Sequence, residues 1–359
     1  MNYALIGCGR ISINHLKAAI ENNLNIVAIC DINAEQTEHV LEMNGLHRNL
    51  NIKKYLNYKE MIAKENIDLI SIATKSGLHA AIAKDCINAG IHVIVEKPLS
   101  LSLSDVDEII ELSKKNNIKV SICHQNRLNP SVQSVRELIE SNRLGKISHG
   151  TVRILWNRDE EYFKQAPWRG TWKYDGGLLL NQCIHDIDIF RWLMGGEIQE
   201  VFAYTARRAH DYIETEDVAL ALIKFKNGTI GTVEGTINVY PSNLEETLYI
   251  FGQAGTVKLA GKSLTKIEIC DLKDEQSEKK IKDNIACISS SKLCNYGHNA
   301  IFEDTIDAII NDRNPSIDTK AARDSIELIF AIHQSSLENK PIKLPLSGCS
   351  LNDFKGMFN

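Results

Sequence analysis

The strongest constraint in this sequence is an alternation in its first third. Short uninterrupted apolar runs take turns with amphipathic stretches. Tyr3–Ile6, Ile26–Cys30, Leu69–Ala73, His92–Val95 and Val120–Cys123 read as strands. Ile13–Asn22, Ala34–Met43, His79–Ala89, Leu103–Lys115 and Val132–Glu140 read as helices. Strands that are apolar throughout, rather than at every second residue, belong to a parallel sheet covered on both faces. Alternation with helices makes this a doubly wound α/β domain. Helix Leu103–Lys115 has its own start signal: Ser102 is a plausible N-cap and Asp105 falls in the first turn.

The first strand runs into Gly7-Cys8-Gly9-Arg10-Ile11-Ser12. This G-x-G-x-x-S is one step from the dinucleotide-binding fingerprint. Gly7 suits a tight turn, Gly9 lets backbone approach a pyrophosphate, and small Ser12 permits close helix packing. The amides that open the following helix would face the phosphates. An ordinary glycine turn is the alternative; the strand before and helix after favour the cofactor. Asp31 ends the second strand, 22 residues past Gly9. A carboxylate there accepts from ribose hydroxyls and repels a 2′-phosphate. Ile32 and Asn33 follow it, with no arginine, so NAD is favoured over NADP. The plainer alternative is that Asp31 caps a turn.

Beyond about residue 145 the pattern changes. A loop rich in Trp, Arg and Tyr (157–174) leads into a helix, Gly177–Leu193. Strand-like segments follow at Val201–Arg207, Asp217–Phe225, Gly228–Ile237, Thr247–Phe251 and Thr256–Leu259, with Asn227-Gly228 as a hairpin turn. Helical patterns return at Asn299–Asn311 and Ala321–Glu338. The polar segment 271–292 reads as a surface excursion. The expected architecture is a nucleotide-binding domain over residues 1–123. A substrate-binding and oligomerisation domain over 124–359 would be built on an open, mostly antiparallel sheet with helices on one face.

The fourth apolar strand runs directly into Glu96-Lys97-Pro98. Ligands of open α/β sheets bind beyond the carboxyl ends of the strands, so Lys97 is expected to face the nicotinamide. Pro98 fixes its own φ and restricts Lys97 to extended geometry. A solvated lysine at a strand end is the alternative.

These residues together resemble the glucose-fructose oxidoreductase, inositol dehydrogenase and MocA family. The resemblance rests on Gly7 to Ile11, Asp31, Ala73-Thr74 followed by His79, and Glu96-Lys97-Pro98. It continues through Asp175-Gly176-Gly177, His185 with Asp188, and Gly297-His298, so it covers nearly the whole chain. It implies a Rossmann domain followed by an α/β domain with an open sheet. It also implies NAD contacts from Gly7, Cys8, Gly9, Arg10, Ile11 and Asp31. Further contacts come from Thr74, His79, Glu96, Lys97, Gln125, Trp168 and Arg169. Family members place a catalytic histidine where His185 stands, often with an aspartate one turn earlier; here that residue is Asn181.

Asn181 and His185 are four apart and would share a helix face, with Asp188 close to it. An amide is no base, so proton transfer falls on His185 with Lys97 assisting. Asp188 either orients the imidazole or caps a packing network. Arg153, Arg158 and Arg169 stand among Trp156, Tyr162, Trp168 and Trp172. Arginine grips carboxylate or phosphate and aromatic rings stack on rings, so an anionic, ring-containing ligand is expected, or the cofactor pyrophosphate. Arg153 reads as a surface residue. Substrate contacts are expected from Lys97, Arg158, Tyr162, Arg169, Asn181 and His185. These segments, with Asn181-Gln182-Cys183-Ile184-His185 and His124-Gln125-Asn126-Arg127, look most like one branch of the family. That branch oxidises C3 of UDP-N-acetylglucosaminuronic acid for surface-polysaccharide synthesis. An inositol or free-sugar dehydrogenase and a non-catalytic NAD-binding regulator are the rivals. Family members of this design are often tetramers, so a homo-oligomer, tetramer or dimer, is expected.

Composition excludes several classes. Net charge is −5 and no basic run occurs, which disfavours a nucleic-acid partner. The nine cysteines are scattered without a C-x-x-C pair, and no metal site is expected. No basic, apolar leader precedes the first strand and no stretch approaches 18 uninterrupted apolar residues, so neither a signal peptide nor a membrane span is expected. A reducing cytoplasm fits best.

Overall fold

In a computed structural model of the chain, describing residues 1–274 and 296–358, the first sheet is wholly parallel. Its strands are β1 (Asn2–Ile6), β2 (Asn25–Cys30), β3 (Lys53–Tyr55), β4 (Leu69–Ile72), β5 (His92–Val95) and β6 (Val120–Ile122). They lie in the order β3-β2-β1-β4-β5-β6. The chain reverses direction across the sheet between β1 and β4, and a ligand crevice forms at such a switch point. Helices α1 (Ser12–Glu21), α2 (Ala34–Met43), α3 (Tyr58–Lys64), α4 (His79–Asn88) and α5 (Leu103–Lys115) complete the doubly wound pattern. Leu5, Ile29, Ile70 and Ile94 are wholly buried, as strands covered on both faces require. Ser102 caps α5, accepting from the Asp105 amide. The edge strand β3 and helix α3 were not foreseen. Lys53-Lys54-Tyr55 buries no side chain, so it leaves no apolar run to read.

The described residues divide into two compact units, 1–125 with 295–323, and 126–294 with 324–359. The expected cut near residue 123 therefore misassigns the late helix Tyr296–Ile310, which groups with the first unit. Its side chains explain why. Phe302 packs 5.6 Å from the Tyr3 ring, Thr305 donates to the Ser121 hydroxyl at 2.6 Å, and Asn299 accepts from Asn22 at 2.6 Å. A boundary drawn along the sequence cannot express a segment that returns.

In the second unit, α6 (Pro130–Glu140) precedes β7 (Ile147–Leu155), and α7 (Glu160–Lys164) lies in the aromatic loop. The remaining strands are β8 (Ile198–Ala206), β9 (Val218–Phe225), β10 (Ile230–Thr236), β11 (Glu245–Gly252), β12 (Gly255–Ala260), β13 (Lys266–Leu272) and β14 (Ile342–Lys343). Their order is β13-β12-β11-β7-β10-β9-β8-β14. Every pairing is antiparallel except β7 with β10. Strand β7 was also missed, although Val152 and Ile154 point inward between Thr151 and Arg153. The polar segment 271–292 begins in β13 and from residue 275 lies outside the described residues.

The single helix expected over Gly177–Leu193 is two pieces. A π-helix, Leu178–Cys183, runs into α8 (Ile184–Leu193). Helix α8 is seated by a missing pair of side chains. Gly150 of β7 and Gly231 of β10 are register partners, and the Phe190 ring lies over both. A Cβ on Gly231 would fall 2.6 Å from Phe190 Cζ, and one on Gly150 would fall 2.7 Å from Met194 Sδ. This bare patch lets α8 approach the sheet and so sets the height of His185, five residues before Phe190. Overpacking the patch should be costly. Gly231→Ala is expected to destabilise the protein by about 1–3 kcal/mol in chemical denaturation; an unchanged unfolding midpoint would show that the patch does not seat the helix.

Candidate active site

The two glycines of the first loop do different work. Gly7 has φ +93°, and a Cβ there would lie 2.6 Å from the Ala73 carbonyl, so the fold itself excludes a side chain. At Gly9 no atom of the described residues, its two chain neighbours aside, comes within 4 Å of a built Cβ. No packing contact among the described residues requires that glycine, and the open space above it suits a phosphate. Ser12, the first residue of α1, folds its hydroxyl back onto the Gly9 carbonyl. Arg10 is exposed and Ile11 half-buried at the helix entrance. Asp31 accepts from the Cys8 amide at 2.8 Å and the Asn33 amide at 2.9 Å. The turn-holding role is thus real, and each carboxylate oxygen keeps a second lone pair for a ribose hydroxyl. The loop fits the NAD expected from the sequence.

Glu96-Lys97-Pro98 leaves β5 among three buried histidines. Glu96 Oε1 accepts from His15 Nε2 at 3.0 Å and from His298 Nε2 at 2.8 Å. Burial opposes a charge on Glu96, but these two donors hold its carboxyl well below the usual range. Its Oε2 accepts from the Lys97 amide at 3.3 Å. His79 spans the Thr74 carbonyl at 3.0 Å and the Pro98 carbonyl at 2.8 Å, joining the loops after β4 and β5. Burial lowers the pKa of His79, so the neutral ring donates to one of these carbonyls at a time. Lys97, Thr74 and Gln125 are half-buried at the carboxyl edge of the sheet. The scattered Cys123 also gathers here: its sulfur lies within 4.8 Å of the ligating atoms of His15, Glu96 and His298.

In the second unit the π-helix is anchored by a buried carboxylate. Glu216 accepts from the Leu179 amide at 2.9 Å and pairs with His333 at 3.1 Å. Gly177, at φ +79°, clears that carboxylate, which a Cβ would meet at 2.6 Å. Asn181 lies in the π turn and His185 four residues on, in the first turn of α8. Asn181 donates to Asp175, whose other oxygen accepts from the Gly170 amide at 2.7 Å. His185 is half-buried in the first turn of α8. Asp188 is wholly buried and receives Arg127 at 2.6 Å and Ser325 at 2.5 Å.

The expected arginine and aromatic residues do assemble. Arg158 donates to Gln182 at 2.9 Å, and Gln182 to the Tyr162 hydroxyl at 2.8 Å. The Tyr162 ring has the Arg169 guanidinium 4.0 Å away and that of Arg158 5.2 Å away. Arg169 also donates to the Tyr162 carbonyl at 2.6 Å, and Trp168 lies 6.0 Å from it. Burial lowers the pKa of Arg158. Arg153 stands apart, tied to Glu234 and Glu245. A cavity of about 500 Å³ opens beside Arg158, lined in part by Trp156, Asn243, Lys258 and Lys262.

Several participants escaped the sequence reading. Gln182 was only part of a quoted string, and Asp175 only part of a motif. Buried Asp186 and half-buried Glu246 form an acid pair whose carboxyl groups burial pushes upward, Glu246 to about 7. No spacing links these two positions. His210 accepts no simple label either: it bridges Asp217 at 3.1 Å and the Arg158 carbonyl at 2.7 Å. Burial disfavours its charge, but the carboxylate and the carbonyl prevail, and its pKa rises above 6.5.

Two tests follow from these contacts. Gly9→Ala should leave the unfolding midpoint unchanged while weakening NAD binding at least about tenfold, measured by calorimetry; unchanged affinity would mean the phosphate does not pass over Gly9. A raised folded pKa means that the stabilisation from His210 is complete below pH 6.5 and is lost as pH rises through the folded value. The stability difference between wild type and His210→Asn should therefore shrink on going from about pH 6 to about pH 9. A difference that grows would reverse the assignment.

Two family models match the chain. One describes an oxidoreductase family NAD-binding Rossmann fold and matches residues 1–124; the other describes a GFO/IDH/MocA C-terminal domain and matches residues 132–258. The WlbA dehydrogenase of Bordetella pertussis, crystallised with NADH and UDP-GlcNAcA, is 32% identical, with a TM-score of 0.89 over 97% of this chain and 98% of that one. The WlbA dehydrogenase of Chromobacterium violaceum, with the same ligands, is 30% identical, with a TM-score of 0.86 over 97% and 96%. The myo-inositol 2-dehydrogenase of Thermotoga maritima is 28% identical over 262 residues, which are 72% of this chain and 74% of that protein. No helix among the described residues is long and apolar enough to cross a membrane. The loop, the sheet order and both family matches agree: the chain belongs to the Gfo/Idh/MocA family and is an NAD-dependent dehydrogenase acting on CH–OH groups.

Proposed function

We propose that this enzyme oxidises a sugar hydroxyl, specifically C3 of UDP-N-acetylglucosaminuronic acid, to the 3-keto sugar of surface-polysaccharide synthesis. The observation that carries the reading is the Arg158–Tyr162–Arg169 stack with its Gln182 link. Two guanidinium groups packed on one aromatic ring suit a ligand that is both anionic and cyclic. Similarity to WlbA dehydrogenases bound to UDP-GlcNAcA supports the same substrate. The cavity beside Arg158 has the size of an ordinary ligand pocket.

In the proposed reaction a neutral His185 takes the proton from the substrate hydroxyl. Lys97 donates a hydrogen bond to the same oxygen and stabilises its developing negative charge. NAD, when bound, takes up the hydride. Asn181, held by Asp175, is a neutral substrate contact rather than a base. An inositol dehydrogenase is the second reading, favoured by the resemblance to the Thermotoga maritima protein. Neutral inositol has no use for two arginines, and Asn181 lacks the family carboxylate.

A homo-oligomer, dimer or tetramer, is part of the proposal. Tyr204 and Leu220 are register partners on β8 and β9, 59% and 51% exposed, and Leu222 and Ile230 extend the stripe. An apolar strip on a sheet face suits a second copy of the chain. All seven cysteines among the described residues are free thiols, in keeping with the cytoplasmic location we propose.

The test is a substrate panel with purified enzyme and NAD. UDP-N-acetylglucosaminuronic acid should yield NADH, and myo-inositol and UDP-sugars without the sugar carboxylate should not; the reverse preference would establish the second reading. Lys97→Ala and His185→Ala should each lower turnover by about 10²–10⁴-fold with NAD binding retained. Full turnover in both variants would remove them from the chemistry.

A further inference from the structure

The carboxylate directly before Lys97 is gripped from two distant parts of the chain. His15 lies in α1 and is wholly buried; His298 lies in the first turn of the helix Tyr296–Ile310 and is 9% exposed. Their rings meet edge to face, 4.8 Å apart, and His15 also packs 5.9 Å from Phe302. A carboxylate oxygen only accepts, so both Nε2 atoms must carry the hydrogen they donate to Glu96 Oε1. A buried carboxylate without donors would be costly, and these two supply them. With Oε1 held, Oε2 is left facing the Lys97 amide at 3.3 Å. The histidines thereby set the orientation of Glu96, and Glu96 sets the backbone from which the Lys97 side chain extends. The Pro98 carbonyl, one residue further, lies 2.8 Å from His79 Nδ1.

We infer that His15 and His298 are positioning residues for Lys97, acting through the Glu96 carboxylate. The inference rests on the proposed role of Lys97 in hydroxyl oxidation. A side chain shifted by an ångström at its root misplaces its ammonium by at least as much, and a misplacement of that size costs catalysis heavily. Two histidines, a glutamate and a cysteine are also a donor set that zinc accepts. The N···O separations of 2.8 and 3.0 Å are those of ordinary hydrogen bonds, and they favour positioning.

The experiment compares His298→Ala with His298→Gln, whose amide nitrogen donates from nearly the same place. His298→Ala should lower kcat by about tenfold to a hundredfold while KM for the sugar and the Kd for NAD stay within about twofold. His298→Gln should restore most of the loss. Independently of any sugar, NMR of enzyme labelled with 13C at lysine Cε should show the Lys97 resonance, identified by its loss in Lys97→Arg. That resonance should move in His298→Ala and return in His298→Gln. If no sugar turns over, this readout still decides the inference, so its failure and that of the proposed substrate are distinguishable. A Lys97 resonance unchanged in His298→Ala would overturn it. So would stoichiometric zinc in the wild-type protein that His298→Ala loses. Should His298→Ala fail to fold, His15→Ala is read by the same criteria.

Discussion

The placement of Lys97 depends on the fate of one buried charge. Glu96 directly follows the apolar strand β5, where a carboxylate would ordinarily be expelled or protonated. It remains because His15 and His298 donate to it, and those histidines come from the first helix and from a helix that returns late in the chain. The contact therefore performs two tasks. It fastens the returning helix to the sheet and holds the backbone of Lys97. The nearby loop shows the same economy: Asp31 keeps the Cys8 amide in place and retains lone pairs for the cofactor.

The second unit reaches its site by a different constraint, the absence of side chains. Gly150 and Gly231 leave room for Phe190, and helix α8 settles onto the sheet there. The π turn ahead of it is anchored by Glu216 and brings Gln182 to Arg158 and Tyr162. A π segment is seldom retained without a functional reason, since its hydrogen bonding is less favourable than that of an α-helix. Here it carries Asn181, which donates to Asp175, and leads directly into the α-helical turn that carries His185.

Much of this was legible in the sequence, for physical reasons. Strands apolar throughout leave a clear pattern, so β1, β2, β4, β5 and β6 and the doubly wound class could be read directly. The glycine loop and Glu96-Lys97-Pro98 stood at strand ends, where a cofactor crevice forms. The short polar β3 offered no such signal. Strand β7 gave a weak signal, because its first three residues are not buried and its inward positions begin with a glycine, Gly150. The π turn was invisible because period counting assumes 3.6 residues per turn. The Glu96 clamp and the Asp186–Glu246 pair join residues from separate elements, and only a folded chain reveals them.

The central claim is that the enzyme moves hydride from C3 of an anionic nucleotide sugar to NAD. The most direct measurement uses UDP-N-acetylglucosaminuronic acid deuterated only at C3, incubated with enzyme and NAD, with the resulting NADH weighed by mass spectrometry. The account predicts NADH carrying one deuterium and a slowed first turnover. NADH free of deuterium would contradict it, because the hydride would then have come from another carbon.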